Sequence, residues 1–259
     1  MIDLNKLIFG WLPDLPDPRD WLFPAPSRMA VAELPCAHDL VGGFPDVENQ
    51  GRVGSCTAEA AIGYGEFLDR EADGSHEELS SYFAYYNARQ LSTPWLLRTL
   101  FGVSDTGSSI RDVVKAAARW GFAPLGLWPR DEAKVNRKPS GDAYAAAELR
   151  QALHYYRVEP TVNALRAAIA GGRPVIFGMP LYQSFVSDEV RRSGIVPMPR
   201  PGEREVGGHA MLVVGYNEAG FTLRNSWGRD WGNGGYCRVP AAMARYFRDC
   251  WVIESRELP

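Results

Sequence analysis

Three short blocks of the 259-residue chain combine residue types that can carry nucleophilic chemistry. The first is Gln50-Gly-Arg-Val-Gly-Ser-Cys56, where Gly54 and Ser55 lead into an apolar helical pattern. A thiol in the first turn of a helix sits among unpaired backbone N–H groups, at the positive end of the helix dipole, and both favour the thiolate. The dipole alone is too weak. Moving a cysteine pKa from about 8.5 to about 4 takes roughly 6 kcal/mol, whereas a helix dipole supplies roughly 0.3–1 and rarely 2. A cationic partner is required, which asks for a histidine.

The histidines are His38, His76, His154 and His209. His76 lies in a polar stretch and reads as solvated, His154 falls in an expected helix, and His38 sits near the start of the domain. His209 differs from them. It follows Gly207-Gly208 and enters the apolar run 210–216, which puts an imidazole at a strand entrance where two glycines permit close backbone approach. The third block, Asn225-Ser226-Trp227-Gly228, follows the apolar run 221–224. These two runs predict a hairpin over residues 217–220, with the Asn225 end of one strand beside the His209 end of the other. An Asn carboxamide accepting from the imidazole N–H fixes the ring without adding charge, as a thiolate–imidazolium pair requires. Trp227 is placed to cover that bond and keep water from it.

Positioning these groups takes a definite order of elements. From Cys56 to about residue 70, Ala60, Ala61, Tyr64, Phe67 and Leu68 recur on one helical face. Further helices are expected over 79–91, over 109–120 with Ser108 or Ser109 as N-cap and Gly121 past the end, over the Ala-rich run 142–154, and over 163–170. Strand-length runs rich in Val, Ile, Phe and Tyr follow at 174–179, 210–216, 221–224, 235–239 and 251–254. The stretch 191–206, with Arg191, Arg192, Arg200 and Arg204 partly offset by Glu203 and Glu205, reads as a solvated loop before His209. Helices first and strands later, without βαβ alternation, predict an α+β fold: a helical half over about 50–150 and an antiparallel sheet half over about 155–259.

Residues 1–35 stand apart. Pro13, Pro16, Pro18, Pro24 and Pro26 interleave with Trp11, Trp21 and Phe23, which forbids a long helix and favours extended chain with rings to bury. Two readings stand: an arm packed along the surface of the domain at 36–259, or a short pro-segment lying across a cleft and inhibiting it.

Composition narrows the partners. A net charge of −3 with no basic run argues against nucleic acid and anionic membranes, and no stretch approaches a membrane-spanning length. Cys36, Cys56, Cys237 and Cys250 are sparse for a disulfide framework and give no zinc spacing with the histidines, so no metal or other cofactor is expected. Cys237 and Cys250, in apolar contexts, read as core thiols. The N-terminus lacks the charged start and long apolar stretch of a signal peptide; a cytoplasmic protein is the default expectation, with secretion by another route left open.

The three blocks, Gln50-Gly-Arg-Val-Gly-Ser-Cys56, Gly207-Gly-His-Ala-Met-Leu-Val-Val-Gly-Tyr216 and Asn225-Ser-Trp-Gly-Arg-Asp-Trp-Gly-Asn-Gly-Gly-Tyr236, resemble the active-site blocks of papain-like cysteine peptidases, in the family's order. The resemblance runs from about residue 36 to the C-terminus. It implies a two-lobed fold with the active site in the cleft between a helical half and a sheet or barrel half, and a protein or peptide substrate. By the same resemblance Cys56 is the nucleophile, His209 its base, Asn225 the orienting residue, and the Gln50 side chain with the Cys56 N–H the oxyanion hole. Gly107 and Ser108 resemble the stretch that binds substrate backbone, and Gly208 and Trp227 border the same site. The chain also departs from the family. Thr57 replaces the usual aromatic after the nucleophile, Val53 stands where many members carry a disulfide cysteine, and only about 35 residues precede the match. Two other uses of the scaffold stay open: an acyltransferase or peptide ligase working through the same acyl-enzyme, and a non-catalytic peptide-binding module.

Overall fold

The computed structural model describes residues 9–23, 34–74 and 77–255. The apolar periodicity that opens at Cys56 becomes helix α1 (Cys56–Asp73), which ends at Gly74 in the left-handed conformation. Four more helices complete the first half and its boundary: α2 (Ser81–Ser92), α3 (Trp95–Phe101), α4 (Ile110–Trp120) and α5 (Gly141–Ala147). Ser80, Ser109 and Ser140 cap α2, α4 and α5, each accepting a backbone N–H from the first turn.

The second half is built on strands β1 (His38–Asp39), β2 (Ala152–Val158), β3 (Val175–Tyr182), β4 (Glu205–Asn217), β5 (Gly220–Arg224), β6 (Tyr236–Pro240) and β7 (Arg248–Ser255), with helices α6 (Val162–Ala170) and α7 (Asp188–Ser193) between them. All ladders between these strands are antiparallel; the order is β2-β7-β3-β4-β5-β6, and β1 adds to β4. The expected β4–β5 hairpin is present, with Asn217 opposite Gly220. Helix α1 packs on β4 and β3, and the core runs continuously from Tyr64 and Ile62 on α1 to Val213, Phe177 and Trp251 in the sheet. Contact is close enough that a Cβ on Gly63 would lie 3.2 Å from Arg224 Nε.

Three expectations are corrected. The helix expected over 142–154 stops at Ala147; a short 3-10 turn over Glu148–Arg150 follows, and β2 begins at Ala152, so His154 lies in a strand. The run Leu153-His-Tyr-Tyr-Arg-Val158 is rich in strand-forming residues, and its pairing with β7 outweighs the helical preference of the alanines before it. The stretch read as a loop from Arg191 begins inside α7, and α3 was not expected. His76, Pro24 and Pro26 lie outside the described residues. Among the described residues no helix is long and apolar enough to cross a membrane.

Candidate active site

Cys56 is the first residue of α1 and is fully buried. The backbone N–H groups of Ala210, Gly10 and Thr57 lie on its sulfur and favour the thiolate. Burial outweighs them and pushes the thiol up to about 11. Desolvation thus works against the thiolate by more than a helix dipole supplies, in line with the need for a histidine partner.

His209 on β4 stands one residue from Ala210, opposite Met179 of β3. Its Nε2 lies 2.7 Å from Asn225 Oδ1, just beyond the end of β5. Asn225 Oδ1 also accepts from the Ser226 N–H at 2.8 Å, which identifies it as the carboxamide oxygen and His209 Nε2 as the donor. Nδ1 is then the free lone pair of the imidazole, and it is buried with no hydrogen-bond partner. Trp227 stacks on the ring at 4.9 Å between centroids and is backed by Phe185 and Trp231. Burial lowers the His209 pKa to about 4, with the Asn225 bond opposing it. Both shifts favour the neutral forms of the two groups.

Gln50 is brought to the same cluster. Its Nε2 donates to Val53 O at 3.0 Å and its Oε1 accepts from Ser226 Oγ at 2.7 Å, while its backbone N–H donates to Ser226 O at 3.0 Å. Ser226 thus ties the Gln50 loop to Asn225, whose Oδ1 accepts the Ser226 N–H. It was not singled out from the sequence, although it stands inside the Asn-Ser-Trp block.

The N-terminal segment completes the enclosure. Trp11 N–H donates to Gly208 O at 3.3 Å, Ser108 N–H to Gly10 O at 2.8 Å, and Leu12 N–H to Ser108 O at 3.1 Å, making a parallel bridge between Trp11 and Ser108. Gly107 has φ +81°, and a Cβ there would lie 2.5 Å from Gly10 O, so the glycine admits the segment. The Trp11 ring rests on two more glycines: a Cβ on Gly178 would lie 2.1 Å from Cε2, and one on Gly208 2.7 Å from Cε3. Gly107–Ser108 and Gly208 therefore flank residues 10–12 from opposite edges, Ser108 bonding Gly10 and Leu12 and Gly208 bonding Trp11.

Beyond Trp11 the segment is fastened by charge. Asp14 Oδ2 accepts from Trp251 Nε1 at 2.8 Å, and Asp14 N–H donates to Asp249 Oδ2 at 2.8 Å. Arg111 at the start of α4 grips Asp20 with two nitrogens, and Arg157 of β2 reaches Asp20 at 3.0 Å and Asp249 at 2.8 Å. Residues 21–23 then lie along β2, with Arg157 N–H donating to Trp21 O at 2.7 Å and Phe23 N–H to Arg157 O at 2.8 Å. All four cysteines are free thiols, with Cys237 and Cys250 in the core, and no group of three or more His, Cys, Asp or Glu among the described residues could hold a metal ion.

Known proteins share this architecture. The sequence profile described as papain family cysteine protease matches residues 130–255. A peptidase C1-like protein of Acanthamoeba polyphaga mimivirus is 30% identical over 95% of this chain and 86% of its own length. Ananain of Ananas comosus is 25% identical over 82% of this chain and 56% of its own. The crystal structure of xylellain, a cysteine protease from Xylella fastidiosa, superposes with a TM-score of 0.83 at 32% identity, covering 97% of each chain. Near-complete alignment with the mimivirus protein and with xylellain means that this chain belongs to the papain family of cysteine peptidases.

Proposed function

We propose that Cys56, His209 and Asn225, with Gln50, carry the peptidase chemistry of this chain, and that residues 9–12 hold it silent. The observation that carries the first part is the buried His209–Asn225 bond under Trp227, with Ala210, the residue after His209, on the Cys56 sulfur. In the working state the proton passes from Cys56 to His209 Nδ1. The thiolate adds to the scissile carbonyl, and the oxyanion takes hydrogen bonds from the Cys56 N–H and the Gln50 amide. The C–N bond breaks as His209 returns its proton to the leaving amine. Water, deprotonated by His209, then attacks the thioester, and the C–S bond breaks to release the acid and the thiolate.

The second part rests on the direction of the segment. It turns the Gly10 N–H toward the sulfur, where a scissile bond would present its carbonyl carbon. A chain seated this way fills the cleft without being attacked. It also keeps water from the dyad, which favours the neutral form of both groups.

The test is hydrolysis of an internally quenched peptide pool by the full chain carrying Trp11→Ala, which loosens the segment. Cleavage that disappears on adding Cys56→Ala or His209→Ala, and falls on adding Asn225→Ala, is expected. A Trp11→Ala chain whose Cys56 is alkylated readily but which cleaves no peptide overturns the assignment.

A further inference from the structure

The family's disulfide cysteine is absent at Val53, and its usual aromatic is absent at Thr57, so the turn that carries the nucleophile lacks two customary supports. Both sites lie against one polar network. Gly54 N–H, beside Val53, donates to Asp105 Oδ1 at 3.1 Å. Tyr85 Oη–H donates to the same oxygen at 2.5 Å and in turn accepts the Gly107 N–H at 2.9 Å. One carboxylate therefore joins the nucleophile turn to the Gly107–Ser108 wall through one buried tyrosine. Thr57 Oγ1 makes a second tie, 2.6 Å from Ser108 Oγ.

The support behind the network is rigid. Arg89 is buried and lies over the Tyr85 ring at 3.8 Å, while its guanidinium donates to Ser104 O and Asn136 Oδ1, each at 2.6 Å. Tyr85 is itself fully buried, and burial with the Asp105 bond keeps its hydroxyl protonated, as a donor must be. Donor chains of this kind polarise along their length and fix geometry better than isolated bonds.

We propose that Asp105, Tyr85 and the Thr57–Ser108 hydroxyl pair form a non-covalent clasp that sets the width of the cleft, in place of the missing disulfide. They are positioning residues: they act on the peptide through Gly107 and Ser108 and on the nucleophile through Gly54, and none of them takes part in bond making. The inference rests on the reading of Gly107 and Ser108 as the wall that holds substrate backbone. It also fits the free thiols of the chain, because such a clasp is indifferent to reductant.

Hydrogen exchange on the full chain tests it first, without activity. Asp105→Ala should speed exchange at the Gly54 amide by about tenfold, the ratio expected for losing one hydrogen bond to a charged acceptor, and should also speed it at Gly107, whose acceptor Tyr85 loses its anchor. Amides of β4 should not change, Asp105→Asn should restore protection because its Oδ1 still accepts, and excess dithiothreitol should have no effect on the wild type. No change at the Gly54 and Gly107 amides, or equal acceleration in β4, overturns the clasp. In the Trp11→Ala chain, Asp105→Ala should raise KM for a peptide by about tenfold or more, with kcat and the rate of Cys56 alkylation by iodoacetamide within about threefold. A fall in alkylation with KM unchanged also overturns it. Should the Trp11→Ala chain itself cleave nothing, the catalytic assignment fails, and the exchange data still decide the clasp.

Discussion

The proposed closure over Cys56 makes its reactivity a measure of how often the N-terminal segment lets go. Cys56 is fully buried, so alkylation requires opening, and the observed rate is the open fraction multiplied by the rate of the open dyad. Trp11 is the segment's main apolar anchor, 8% exposed against Gly178 and Gly208. Truncating a buried tryptophan to alanine costs about 3–5 kcal/mol. The Trp11 Nε1 is buried without a hydrogen-bond partner, which already weakens the closed state, so the lower end applies. A loss of about 3 kcal/mol raises the open fraction by roughly 150-fold. Timed iodoacetamide labelling near neutral pH, read site by site by mass spectrometry, should show that rise at Cys56 in Trp11→Ala. Exposed Cys36 supplies a reference rate, and buried Cys237 and Cys250 report global opening. Equal Cys56 rates in wild type and variant would refute closure by this segment, as would wild-type Cys56 labelling as fast as Cys36. A rise shared by Cys237 and Cys250 would mean the variant has lost the fold and not the plug.

Two further outcomes follow from the charges. Arg157→Ala removes the guanidinium shared by the fully buried Asp14 and by Asp20 and Asp249, and leaves Arg111 on Asp20. A broken buried pair costs about 3–5 kcal/mol and an exposed one under about 1; with Arg157 27% exposed, about 2 kcal/mol is expected, raising Cys56 labelling by roughly thirtyfold, and unchanged labelling would contradict the staple. His209 supplies a pH dependence: its folded pKa of about 4 lies below the ordinary 6.5, so its contribution to the closed state is complete above about 6.5 and is lost as the pH falls toward 4. That loss amounts to about 3 kcal/mol; the thermal midpoint of wild type should fall more between pH 7 and 4.5 than that of His209→Gln, and parallel profiles would show that His209 is not buried neutral.

How much of this was legible in the residues divides along sequence separation. Helices α1 and α4 and strands β3 to β6 follow from apolar period and cap chemistry, which are local. The α5–β2 boundary was missed because no Gly or Pro interrupts residues 142–154, and what ends the helix is pairing with β7, about a hundred residues away in sequence. Helix α3 has no buried residue, since Trp95, Leu96, Leu100 and Phe101 point outward, so no core-facing stripe announced it. In the site, Cys56, His209, Asn225 and Gln50 stand out because each lies in a motif block with glycines beside it. Asp105 and Tyr85 do not, because their partners lie 20 to 51 residues away and no local pattern requires them.

Burial opposes the thiolate that the helix terminus and the imidazole favour, and this bears on the proposed silencing by the N-terminal segment. Burial raises the Cys56 pKa against the backbone N–H groups of Ala210, Gly10 and Thr57, which favour the thiolate. Helix terminus, imidazole and carboxamide are all in place; what differs is solvent. A thiolate–imidazolium pair is two charges, and in a dry cleft their mutual attraction does not repay the loss of hydration. On the proposed reading residues 9–12 silence the dyad by excluding water, which favours its neutral form. On the same reading, lifting the segment supplies hydration and lets the proton pass from Cys56 to His209 Nδ1, which has no hydrogen-bond partner in the closed form.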